Sequence, residues 1–187
     1  MMTQGPLPRG TAWRAVARCF ARSLVMLGRR QIHQPSLNIG RSVSFADGTS
    51  ARVYRETVVE IAPADPCFLA VSFRLRGVRG HGHALFRLES ILNTPLFVGF
   101  PGFTSKLWLA HDGRGLYRGL YEWDGADAAE RYARSLWRVL ALVSDRGSID
   151  YRVFPGSRRD DVLVNPQALA RSAPAEREPW WLPVVAK

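Results

Sequence analysis

The chain has 187 residues, 47% of them hydrophobic, which suits one globular domain with additions and excludes both two full domains and a disordered polymer. Its formal charge of +10 is concentrated at one end, because residues 1–30 carry six arginines and no acid. Of the 26 basic residues only Lys106 and Lys187 are lysines, and no DNA- or RNA-binding motif accompanies the excess, which argues against nucleic acid as a partner.

After a short lead-in, Thr11 opens an amphipathic basic helix that ends near Gly28. Trp13, Val16, Phe20, Leu24 and Leu27 recur at helical steps, and Arg14, Arg18 and Arg22 line a different face. Three roles fit residues 11–28: docking of the apolar face on the rest of the protein or a partner chain, attachment to an anionic membrane surface, or organelle targeting. No apolar run approaches the ~20 residues of a membrane span. Arg29-Arg30 is followed by the polar Gln31, His33 and Gln34, unlike a twin-arginine export signal. The expected compartment is the cytoplasm, with the membrane surface as the peripheral alternative. Cys19 and Cys67 lie in no metal-ligand spacing and read as two buried thiols.

Residues 41–61 alternate around Asp47-Gly48, the signature of a β-hairpin. A Pro63–Pro66 linker leads into a first core strand from Phe68 to Arg74. Gly77, Gly80 and Gly82 break that strand, and Ala84, Leu85, Leu88, Ile91 and Leu92 predict a helix that stops before Pro95. Phe97–Phe103 is an apolar connector. Thr104–Ala110 and Leu116–Trp123 are strands joined by the turn His111-Asp112-Gly113-Arg114-Gly115. Asp124 is expected to cap a long helix through Ala129, Tyr132, Ala133, Leu136, Val139, Leu140 and Val143, ended by Gly147, before a last strand at Ile149–Phe154. From Pro155 the tail is proline-rich without periodicity and reads as an extended arm, whose Trp180-Trp181 must pack on its own domain or a dimer mate. The organisation is thus a basic helix (1–30), a hairpin and linker (31–66), an α+β unit (67–163) and an arm (164–187).

The stretches Phe100-Pro-Gly-Phe-Thr-Ser-Lys-Leu-Trp-Leu, Gly115-Leu-Tyr-Arg-Gly-Leu-Tyr-Glu-Trp-Asp124 and Ala128-Ala-Glu-Arg-Tyr132 carry a resemblance. They are similar to the small monooxygenases of the dimeric α+β barrel superfamily, relatives of the antibiotic-biosynthesis monooxygenases. The resemblance covers residues 67–155 and implies a ferredoxin-like β-α-β-β-α-β unit, here with an added helix and hairpin. It also implies a homodimer with facing sheets, and a ligand between each sheet and its own helices. Several relatives have a histidine on the second helix; residues 124–144 here hold none.

Lys106 is the candidate catalytic residue: an ammonium in an apolar cavity would stabilise an anionic oxygen, and burial would lower its pKa. The competing reading is a surface lysine lying along Trp108. Trp108, Tyr117, Tyr121, Trp123 and His83 are candidates to line a pocket for a small planar hydrophobic molecule, against core packing for the aromatics. His81 and His83 have no third ligand in reach, so no metal is expected. Arg118 and Glu122, on one strand face, read as an ion pair. The function expected is cofactor-free oxygenation of such a molecule. The alternatives are a non-catalytic ligand-binding or interaction module and a haem enzyme of the same superfamily.

Overall fold

The computed structural model describes residues 5–59, 62–78, 94–172 and 179–184. Among these, eight strands form one curled, antiparallel sheet: β1 (Ile32–His33), β2 (Ser42–Phe45), β3 (Ser50–Val59), β4 (Pro66–Arg74), β5 (Phe103–Leu109), β6 (Leu116–Asp124), β7 (Asp150–Pro155) and β8 (Pro183–Val184). Their order is β7-β4-β6-β5-β3-β2-β8, with β1 also paired to β3. The helices are α1 (Arg9–Gly28), α2 (Ala126–Val143), α3 (Arg159–Val164) and α4 (Pro166–Ser172). The four strands expected over 67–155 all form, with ends within two residues of the expected ones. The helix expected at 84–94, with His81 and His83 at its start, falls at residues 79–93, outside the described residues.

The sheet has two apolar faces because successive side chains point to opposite sides. Cys67–Val71 of β4, like the middles of β5 and β6, are buried throughout. On one face Leu69, Val71, Trp108, Tyr121 and Trp123 pack against Val16, Cys19 and Met26 of α1 and Ala129, Tyr132 and Ala133 of α2. On the other face Phe68, Ala70, Leu107 and Leu120 pack with Val43 and Phe45 of β2, Phe154 of β7, Val162 and Leu163 of α3, and Trp181. The chain therefore covers much of this second face itself, where the sequence reading expected a partner's sheet. The Trp181 ring lies 4.6 Å from that of Phe154, tilted at 44°, so the tail packs on its own domain.

Four local expectations are corrected. The tail is not simply extended: Arg159–Val164 and Pro166–Ser172 are helical, and proline is tolerated at a first helical position, where no amide donor is needed. Gly125, at φ 93°, and not Asp124, precedes α2; the Asp124 carboxylate instead accepts from the Asp65 amide at 2.8 Å. The helix also ends at Val143, short of Gly147. Arg118 and Glu122 do not pair with each other, because Arg118 reaches across to Asp47 and Asp112 while Glu122 lies 3.5 Å from Arg158.

The largest difference lies in α1. Its buried residues are Ala12, Val16, Cys19, Ser23 and Met26, whereas Trp13, Phe20, Leu24 and Leu27 of the expected apolar face are 44–51% exposed. The reason is a close approach. Gly99 lies so near α1 that a Cβ there would fall on the Cys19 carbonyl oxygen and sit 2.8 Å from the Ser23 nitrogen. Only small side chains fit such a seam, so the helix docks through them and turns its large residues outward.

Candidate functional site

Three neighbouring strands assemble the site. Lys106 on β5 is in register with Thr57 on β3 and Tyr121 on β6, and Trp108 is in register with Arg55 and Gly119. Past the irregularity between Val53 and Arg55, Val59 of β3 packs on the helix-covered face and Thr57 accepts a hydrogen bond from the Trp108 indole at 3.2 Å. Such a break in register redirects a strand's side chains, so Arg55 shares the face of Lys106 rather than that of Val53.

Lys106 is buried at 6% exposure, which rules out the surface-lysine reading. Its Nζ lies 3.1 Å from the Trp108 ring centroid and 4.7 Å from the centroids of both Phe97 and Tyr121. The Arg55 guanidinium sits 4.8 Å from the same Trp108 centroid and donates to the Thr94 hydroxyl. Two cations thus share one indole. Among the described residues, no carboxylate forms an ion pair with Lys106. Burial, and secondarily the Arg55 charge, push the Lys106 pKa well below the ordinary lysine range. Burial also lowers the pKa of Arg55. Tyr132 of α2 donates to the Tyr121 hydroxyl at 3.1 Å, and burial raises the pKa of both phenols, so both stay protonated.

The expected aromatics separate. Trp108 and Tyr121 contact Lys106; Trp123 joins through Tyr132, at 4.7 Å between centroids. Tyr117 stands at the other end of β6, stacked on Phe73 at 5.7 Å and near His111. His83 lies outside the described residues. Sequence reasoning missed Arg55, Thr57, Thr94, Phe97 and Tyr132 as site residues. The parity of Arg55, Thr57 and Val59 was a readable signal, since it puts a charged residue on a buried side. Thr94 and Phe97 come from a connector that carries no period. Of the cavities lined by described residues, one of about 410 Å³ lies elsewhere, against Asp47, Arg74, Arg114, Asp150 and Trp180. Another of about 140 Å³ lies under α1, against Arg22, Met26, Phe100 and Thr104.

Gly119 makes room for this arrangement. A Cβ there would come 2.6 Å from the Tyr121 ring and 2.9 Å from its hydroxyl. Gly119→Ala is expected to drive the ring off its place beside Lys106 and cost about 2 kcal/mol, read by urea unfolding, with a changed near-UV aromatic CD signal. An unchanged signal would mean that the ring does not lie over this glycine.

No family model matches the chain, and no curated protein matches its sequence. Part of the chain is similar to the crystal structure of an anthrone oxidase-like protein, at 16% identity and a TM-score of 0.34. The match covers 57% of this chain and 53% of that one.

Proposed function

We propose that the protein is a small enzyme that oxygenates a planar hydrophobic molecule bearing an acidic methylene, without a tightly bound cofactor, and that Lys106 is its catalytic residue. The observation that carries this reading is an amine buried among three aromatic rings with a guanidinium as its charged neighbour. The strand order β7-β4-β6-β5 is also that of a ferredoxin-like unit, which supports an α+β barrel type of fold.

The chemistry follows from the depressed pKa. A neutral amine at Lys106 takes a proton from the substrate methylene and becomes an ammonium beside the carbanion it has just formed. The carbanion reduces dioxygen by one electron, and the radical pair joins to form a C–O bond. Lys106 returns its proton to the resulting peroxide. Loss of the second methylene hydrogen as a proton, with O–O cleavage, then leaves a carbonyl and one water. One dioxygen is consumed per methylene, one of its atoms entering the product and the other leaving as water. Trp108, Phe97 and Tyr121 would stack on the planar ring system, with Arg55 holding an oxygen of its enolate form.

Lys106→Met is expected to reduce turnover about 100- to 1,000-fold, measured as oxygen uptake with a panel of planar compounds carrying acidic methylenes. Undiminished turnover of a responsive compound would refute the assignment. The same variant should be more stable than the native chain at neutral pH. The unfolded chain binds a proton that folded Lys106 gives up, so native stability rises with pH from the lowered folded pKa to the ordinary 10.5. The methionine variant should lack that slope in urea unfolding across the range. A residue kept for packing alone would show the opposite, a stability loss on replacement.

A further inference from the structure

Because α1 buries its small side chains, Trp13, Phe20, Leu24 and Leu27 form one half-exposed stripe along its flank, each 44–51% exposed. All six arginines of residues 1–30 are exposed as well, and no acid accompanies them. We propose that α1 is an interfacial anchor that holds the protein on an anionic lipid surface. Lying in the plane of the interface, the 20-residue helix would place its indole, phenyl and leucine side chains at the acyl boundary. Its arginines would extend back to the lipid phosphates, which guanidinium groups bind in bidentate fashion.

Charge complementarity selects this occupant over a second copy of the chain. Pairing two α1 helices along the stripe would bring together two helices that each carry Arg9, Arg14, Arg18 and Arg22 with no carboxylate on either to compensate. An anionic bilayer supplies the missing charge together with an apolar layer for the stripe. The inner side of α1 belongs to the same core cluster as Trp108 and Tyr121, so docking would hold the helix-covered side of the Lys106 site toward the bilayer. The anchor itself does not depend on the reaction assigned to that site.

The test is flotation of the full chain with vesicles of phosphatidylcholine alone and of an equimolar phosphatidylcholine–phosphatidylglycerol mixture. Binding is expected to the mixture, weakening as salt screens the charges. Replacing Arg14, Arg18 and Arg22 by glutamine should weaken it about fivefold per arginine. Phe20→Ser with Leu24→Ser should weaken it about 100-fold, while Leu37→Ser, exposed outside the helix, should leave it unchanged. The substituted side chains are outside the core, and far-UV CD checks that each variant is folded. Absence of binding to the mixture, equal binding to neutral vesicles, or binding that neither set of α1 variants weakens would overturn the proposal. So would a vesicle-inert protein whose solution dimer is dissociated by Phe20→Ser with Leu24→Ser, since the stripe would then be a self-interface.

Discussion

Arg118→Met is expected to destabilise the protein by about 4 kcal/mol, because it removes the shared cation of a buried charge cluster. Arg118 has no side-chain exposure and ties the turn before its own strand to two remote segments, the Asp47 turn and the Trp180 tail. Its guanidinium donates to Asp112 at 2.7 Å, to Asp47 at 2.8 Å, to the Thr49 hydroxyl at 2.9 Å and to the Trp180 carbonyl at 3.1 Å. Methionine fills much of the same volume but leaves two buried carboxylates without their cation. The loss should appear as a fall in Tm of roughly 8–16 °C. Adding Asp47→Asn and Asp112→Asn should restore most of it, because each asparagine oxygen can still accept from the turn amides of Thr49, Arg114 and Leu116. A loss below about 1 kcal/mol would show that the cluster is no stronger than an exposed ion pair.

The same cluster predicts a pH dependence. Burial alone would raise the pKa of Asp112, but hydrogen bonds from Leu116, Arg118 and Arg114, with the Arg118 charge, outweigh it and hold the carboxyl below its ordinary 3.8. Its contribution to stability is therefore complete above the ordinary value and is lost as pH falls through the lower folded value. Arg118→Met should move that loss up toward the ordinary carboxylate range.

Gly99→Val should cost about 3 kcal/mol, or roughly 6–12 °C in Tm. The added carbons would meet the Cys19 carbonyl oxygen and the Ser23 nitrogen, which are backbone atoms in mid-helix and cannot swing aside as a side chain would. α1 must lift, and Val16, Cys19 and Met26 lose contact with the core. Gly113→Ala, with open space around it, is the control and should change stability by less than about 0.5 kcal/mol. Equal stability of the Gly99 and Gly113 variants would mean that α1 is not seated on this connector.

These residues also mark where sequence reading stopped. Lys106 stood out because lysine is so scarce in this chain, Tyr121 followed from strand alternation, and Trp108 from its place on the same hairpin. Arg55 shares the parity of Thr57 and Val59, but its place beside Lys106 comes from the pairing of β3 with β5, which an alternating pattern does not reveal. Arg118 and Glu122 share a strand face, and proximity along the chain suggested a pair; the shorter reach was instead to two turns brought in by the sheet.

The sequence by itself determined the strands β4 to β7, the Asp47-Gly48 hairpin, and the existence of α1 and α2, because alternation, helical spacing and turn residues act within a few neighbours. Tertiary structure decided which side of each element is covered. The choice of face on α1 rests on a glycine more than 70 residues away in the chain, and the cover of the second sheet face rests on Trp181 and α3 returning from the far end. Periodicity reports that a helix has an apolar side; it does not report how closely another backbone will approach. Where that approach is close, small residues take the buried side, and the larger ones are left for another surface.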